Sequence, residues 1–354
     1  YKTKDGDFKS LGEFLSRVRK TCDGEAIDGR LKTAGHMEEA DDSQGGFLVP
    51  EQWADKIFHA ALEGAIVRPR VGKAAFRIKG DSLKVRKLND DDRSSSIFGG
   101  ITFLWKRERG DKAVAISKPA IGERELTLHK LVGSCFVSNE LEDDYGAFGA
   151  FMELAFGQAI RFIEDDVFIN GTGVGQPLGV LNSTALITVA RQQANQIVYE
   201  DVMNLIQQLL PGSWGNAVFL FNPDTLGEIL ALDVVENNVV NIVDVSDRKL
   251  CGFPFIVTEK CPALGTMGDI LLADFSNGHY LIADKELEIS GSRHVDDTYW
   301  GIDQEYHHHG FITDETFWRV VLRVDGQPLM DAPLTPLRGA NTVSPFVALD
   351  VTSS

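Results

Sequence analysis

The sequence predicts an α+β protein of two or three subdomains, and three observations carry that expectation. A helix-period stripe runs unbroken from Asp144 to Ile169; a period of two dominates from Val71 to Val137 and returns after Ala217; and charge is split unevenly along the chain. A chain of 354 residues with 43% hydrophobic content can bury a substantial core. No run of eighteen apolar residues occurs, so no helical membrane span is expected.

Taken in order, Asp7 to Lys20 reads as a short amphipathic helix. Phe8, Leu11, Phe14, Leu15 and Val18 share one side, and Asp7 is a candidate cap. The stretch CDGEAIDGRLKTAGHMEEADDSQGG has no period and is rich in Gly, Asp and Glu, which predicts a mobile arm that orders on contact with a partner. Pro50 suits a first helical position, and Trp53, Ile57, Phe58 and Ala61 suit the helix that Gly64 closes. The chain begins at Tyr1 without a signal-peptide pattern, and an upstream piece, absent here or removed, is expected.

KAAFRIKGDSLKVRK places Phe76 and Ile78 against Leu83 and Val85 about Gly80-Asp81, a hairpin pattern. Beyond NDDDRSSS lie two apolar patches, Ile101 to Trp105 and Ala113 to Ile116, separated by KRERGDK. A basic two-stranded extension buries too little surface to stand alone and needs a partner. Glu125 to Val137 then reads as one long strand.

The predicted spine helix carries Tyr145, Phe148, Met152, Phe156, Ala159, Ile163 and Val167 on one face, with Glu153, Arg161, Glu164 and Asp165 left to solvent. At 1.5 Å per residue it would be roughly 39 Å long. Glu140, Glu142, Asp143 and Asp144 suit its N-terminal dipole, and Asn170-Gly171 offers positive φ at its end. The glycines of GTGVGQ follow the helix, whereas a dinucleotide fingerprint opens one; Gln176-Pro177 stands where a P-loop needs Lys-Ser/Thr. Asn170, Gly171, Gly173, Gly175, Gln176 and Pro177 therefore read as a tight turn that sends the chain back along the spine.

Past Asn182, Tyr199 to Leu210 is helical in period, Ala217 to Phe221 is a buried strand, and Asn222-Pro223-Asp224 caps a following helix. Gly252 to Thr258 is a strand, and DILLADFSNGHYLIAD presents two runs joined by Asn277-Gly278, a hairpin signal. Glu286 to Ser290 and Thr316 to Val324 read as strands that pack beside the spine, and Phe346 to Ser354 as a short tail.

NELEDDYGAF, followed by a spine ending in EDDVFINGTGVGQPLGVLN, resembles the major capsid proteins of tailed bacteriophages, which share the Hong Kong 97-type fold. GGFLVPEQWADKI (Gly45 to Ile57) and AVFLFNPDTLGEI (Ala217 to Ile229) resemble the same family in the same order, so the resemblance runs from about Gly45 to Leu337. It implies an N-terminal arm over 1–65, an extended loop over 66–125, a peripheral domain with the spine over 126–185, an axial domain over 186–310, and returning peripheral strands with a tail over 311–354. It also implies self-assembly into pentamers and hexamers of an icosahedral virion shell around double-stranded DNA, built in the host cytoplasm with scaffold, portal and decoration proteins as further partners. An encapsulin-like compartment shares the fold and is the structural alternative; a soluble α/β enzyme using Gly171 to Gly175 or His307 to His309 is the alternative from another class.

Charge supports a self-associating protein. Residues 66–130 hold 16 Lys or Arg against 8 Asp or Glu, while residues 131–354 hold 10 against 31, so a basic segment precedes a strongly acidic body. Arg107, Arg109, Lys112 and Lys118 are the expected assembly contacts, lying on an acidic neighbour. An acidic shell wall is compatible with packaged DNA, because a basic one would hold the polyanion fast. The four cysteines lack CxxC spacing and read as thiols from a reducing cytosol.

No cofactor or metal is expected. Adjacent histidines on a strand face opposite ways, so His307, His308 and His309 make a poor metal site, and neither HExxH nor GxSxG occurs. Some relatives join subunits through a lysine–asparagine isopeptide bond helped by a glutamate. Lys112 or Lys118 and Glu315 match two of those roles by position, but Glu286 to Val324 contains no asparagine, so a non-covalent shell is expected.

Overall fold

Two β-sheets held together by one long helix organise the chain. The computed structural model describes residues 11–22, 47–48, 65–93, 105, 121–139, 145–235, 243–292, 296–300, 305–309 and 315–352. The elements begin with α1 (Leu11–Cys22), β1 (Phe47–Leu48), α2 (Arg68–Val71), β2 (Ala75–Arg77), β3 (Ser82–Leu88), β4 (Ile121–Thr127), β5 (His129–Ser138) and the spine α3 (Tyr145–Asn170). There follow β6 (Ile187–Arg191), α4 (Tyr199–Gln207), β7 (Val218–Phe221), α5 (Leu226–Val235), β8 (Val243–Asp244), β9 (Lys249–Leu250), β10 (Phe253–Val257) and β11 (Ile270–Ala273). Last come β12 (Tyr280–Asp284), β13 (Glu288–Ser292), β14 (Asp296–Trp300), β15 (Glu305–His309), β16 (Glu315–Pro328) and β17 (Phe346–Thr352).

The first sheet has the order β1-β13-β16-β12-β2, with β5 on the other side of β16. The second runs β6-β17-β11-β7-β10-β9-β8, and β3–β4 and β14–β15 form separate ribbons. The spine packs on the first sheet through Phe148, Met152, Phe156, Ile160 and Phe168, and α1 adds Phe14, Leu15 and Val18. Val218 and Leu220 of β7 point into this core, while Phe219 and Phe221 join a second core with α4 and α5. A sheet buried on both faces explains why VFLF and ILLA are unbroken apolar runs.

The helix expected at 144–169 is the 26-residue α3, but its buried face is not the straight stripe. Ala159 and Ile163 are exposed, whereas Ile160, Glu164 and Asp165 are buried. The buried positions advance by four, so the packed face turns by about 40° at each step. That winding reflects two successive neighbours: α1 and Trp318 early, then the residues around Arg68. Glu164 and Asp165, expected to stay wet, are each only 5% exposed.

Both predicted hairpins have the right turns and the wrong partners. After Gly80-Asp81, β3 pairs with β4, while β2 lies parallel to β12 in another sheet. Asn277 and Gly278 have φ of 56° and 79°, as a hairpin turn of this type requires, yet β11 enters the second sheet and β12 the first. At each turn the apolar faces of the flanking strands bury more surface against different layers than against each other. The tail expected at 346–354 is another correction: β17 is an inner strand between β6 and β11, with Phe346 to Leu349 buried. Accordingly β12 and β13, placed by the 186–310 boundary with the axial domain, pair in the first sheet, and β17, placed by the 311–354 boundary with the peripheral domain, pairs in the second. Leu128 divides the long strand expected from 125 to 137 into β4 and β5. The helix expected after Pro50 and the arm before it lie outside the described residues, apart from Phe47 and Leu48, which pair with β13.

Candidate assembly surface and the spine turn

The end of the spine is closed by backbone contacts, not by a ligand loop. Thr172 and Leu178 bridge in antiparallel fashion, the Gly173 amide donates to the Pro177 carbonyl at 3.2 Å, and the Gly179 amide donates to the Gly171 carbonyl at 2.8 Å. Gly173 and Gly175 take φ of 77° and 69°. Gly171 does not adopt positive φ, contrary to expectation; it is glycine because a side chain there would collide with the Val167 and Pro177 carbonyls. Asn170 Nδ2 donates to the Asp166 carboxylate at 2.9 Å and to the Lys260 carbonyl at 2.7 Å. Asn182 Nδ2 in turn donates to the Asn170 carbonyl at 2.7 Å, and Gln176 Nε2 to Thr172 Oγ1 at 3.0 Å.

Gly179 faces this turn and went unnoticed in the sequence. A methyl group on it would lie 2.6 Å from the Ile169 carbonyl oxygen, and no side chain can rotate to make room. Gly179→Ala is expected to cost about 1–3 kcal/mol by overpacking. Gly175→Ala meets nothing within 4 Å and should cost about 1 kcal/mol, from its positive φ alone. Urea unfolding of the two variants checks the difference, and equal losses would refute the close-approach explanation.

Just inside the turn, Arg68 Nε and Nη2 donate to Glu164 at 3.0 and 2.6 Å, and Nη1 donates to Asp284 at 2.7 Å. Burial alone disfavours the guanidinium, and the two carboxylates more than offset it, holding the Arg68 pKa above its ordinary range. Burial pushes the Glu164 carboxyl up, with Arg68 opposing. Asp165 accepts from the Ile66 and Val67 amides at 2.9 and 3.0 Å, serving the entry to α2. The signal that could have revealed these residues is Glu164-Asp165-Asp166 in the last two turns of a helix, where the dipole disfavours anions and only a specific partner keeps them.

The β3–β4 ribbon is held at its root. Lys87 and Arg124, one from each strand, both reach the Asp331 carboxylate, and Lys87 Nζ also donates to the Leu329 carbonyl at 3.2 Å. Asp81 lies 3.5 Å from Lys285 and 3.3 Å from Arg323. Toward its tip the ribbon loses cover: the cross-strand pair Leu88 and Ile121 is 51% and 65% exposed, and Trp105 is fully exposed. Arg107, Arg109, Lys112 and Lys118 lie outside the described residues.

His307, His308 and His309 lie on β15, paired with β14. Among the described residues no three His, Cys, Asp or Glu side chains gather as an ion site. Cys135, Cys251 and Cys261 are free thiols, and burial pushes Cys135 up to about 11. Among the described residues no helix is long and apolar enough to cross a membrane.

Where the chain passes from β11 to β12, His279 Nε2 stands 3.6 Å from the wholly buried Asp274 and 3.4 Å from Ser213 Oγ. Burial lowers the His279 pKa below its ordinary 6.5, against the pull of Asp274. The unfolded chain then binds the extra proton more readily, so this stability is complete above about pH 6.5 and is lost as pH falls. His279→Gln is expected to flatten the decline between pH 7 and pH 5 in thermal melts; an unchanged profile would remove His279 from the account.

The Phage capsid family model matches residues 45–339. The chain belongs to the phage capsid family. Solved structures carry the same fold: the capsid of an empty GTA particle (TM-score 0.58, 19% identity, covering 82% of this chain and 90% of that one) and that of Mycobacterium phage Adephagia (TM-score 0.52, 14% identity, 80% and 90%). Microbacterium phage Oxtober96 is a further match (TM-score 0.51, 13% identity, 78% and 88%). No curated relative matches the sequence. The expected Hong Kong 97-type α+β architecture is therefore the observed one, and this member of the phage capsid family is a capsid shell protein.

Proposed function

We propose that copies of this chain close into pentamers and hexamers of an icosahedral virion shell around double-stranded DNA. The shell is assembled in the host cytoplasm and held by non-covalent contacts, with scaffold, portal and decoration proteins as further partners. The observation that carries this reading is the β3–β4 ribbon, fixed at its root by Lys87, Arg124 and Asp331 and uncovered at Leu88 and Ile121 toward its tip. Such a ribbon cannot bury its own apolar residues and is built to lie on another subunit. The arm over 1–65 and the loop over 66–125 reach neighbours, the spine with the first sheet forms the peripheral domain, and the second sheet forms the axial domain. The work of the chain lies in these contacts, and no reaction is assigned to it.

The test is particle size by light scattering and negative-stain microscopy at low and moderate salt. Closed particles, or rings of five and six, are the expected result; a salt-independent monomer or dimer would overturn the reading. Charge reversal at Arg107, Arg109, Lys112 and Lys118 together should weaken assembly and reduce its salt dependence. A reduced, boiled denaturing gel should show a single monomer band, whereas a ladder of covalent oligomers would refute the non-covalent shell.

A further inference from the structure

We infer that Trp105 of one subunit is the anchor of the ribbon and seats in a groove between the spine α3 and the edge strand β5 of a second copy. The inference rests on the shell reading and names the knob and the hole of that contact.

Trp105 is the knob because its side chain is fully exposed, so the ribbon presents it to something other than its own subunit. Tryptophan carries the largest apolar payload of any side chain, and buried tryptophans flanked by arginines dominate interface energies. Lys106, Arg107 and Arg109 follow it directly.

The hole has three supporting features. A cavity of about 210 Å³ opens beside the glycine turn, lined by Leu131, Ile163, Val167, Phe168, Pro177 and Val324. That is smaller than the roughly 300–1,000 Å³ of a small-molecule site and suits one aromatic side chain. A second hollow of about 70 Å³ continues it along β5 and shares Leu131 and Ile163, so the two form one groove. Its rim leaves Val132 51% and Ile163 42% exposed, and Phe162 is 47% exposed on the adjoining spine surface. Finally, β5 pairs with β16 on one side, and among the described residues nothing pairs with its other edge, which leaves backbone donors and acceptors for an incoming segment. Charge favours a second copy as the occupant: the segment carrying Trp105 belongs to the basic stretch of 16 against 8, and the groove belongs to the acidic body of 10 against 31.

The experiment places a photoreactive benzoylphenylalanine at position 105 of the full chain, irradiates assembled particles and maps the cross-links. Intersubunit cross-links to residues around Leu131, Ile163 and Val167 are expected. Particles that cross-link elsewhere would overturn the Trp105 contact while leaving the shell reading intact; failure of the unmodified chain to form particles would overturn both. Trp105→Ala should raise the concentration needed for assembly at least about tenfold. Ile163→Glu, at a position 42% exposed, should do the same while leaving the monomer folded. Unchanged assembly in both variants would refute the inference.

Discussion

Replacing Arg68 with methionine is expected to remove roughly 3–5 kcal/mol of folding stability, because breaking a buried ion pair leaves its partners uncompensated. The Arg68, Glu164 and Asp284 side chains are only 10%, 5% and 8% exposed, so water cannot replace the lost guanidinium. Glu164 lies on the spine and Asp284 on β12, so one side chain ties the helix to the sheet it covers. The variant should unfold at markedly lower urea with an unchanged slope, since the surface exposed on unfolding stays the same. Replacing all three with apolar residues of similar volume should recover most of the loss, because the triad's attraction is largely cancelled by its own desolvation. A loss below about 1 kcal/mol in Arg68→Met would show that the carboxylates find other partners or protonate.

Trp318→Ala is the second large effect, about 3–5 kcal/mol for an emptied aromatic site. Trp318 is wholly buried in the middle of β16, where its ring packs 5.4 Å from Phe148 of the spine. On its other side it lies over Gly291 of β13, where a methyl group would come within 2.7 Å of the indole. The sheet has thus left out a side chain to admit this one. Its Nε1 has no hydrogen-bond partner, so Trp318→Phe gives up volume but also relieves a buried donor and should cost about 1 kcal/mol. Chemical unfolding of the two variants separates packing from polarity; near-equal losses would mean that the cavity is not the dominant cost.

Much of the fold was legible because local patterns report local structure. The spine, α4, β7, β10 and the turns at Gly80-Asp81 and Asn277-Gly278 all appear where period, capping and turn chemistry place them. Pairing was not legible at those two turns. Turn residues encode backbone dihedrals, whereas the choice of partner depends on which layer accepts each strand's apolar face. The same limit hid the candidate site: Arg68 and Glu164 are 96 residues apart, and Arg68 and Asp284 are 216 apart. Lys87 and Arg124 meet at Asp331 across similar separations.

By itself, then, the sequence determined the element types, the long spine, the glycine turn, the basic-then-acidic division and, through its motifs, the capsid family. Only the tertiary structure decided that β17 is an inner strand, that Glu164 and Asp165 are buried, and that Gly179 and Gly291 are vacancies shaped for a backbone and for an indole. The physical reason is one of range. Dihedral preference and amphipathic period act over a few residues and can be read along the chain, whereas burial, ion pairing and close approach are properties of segments that meet only once the layers have packed.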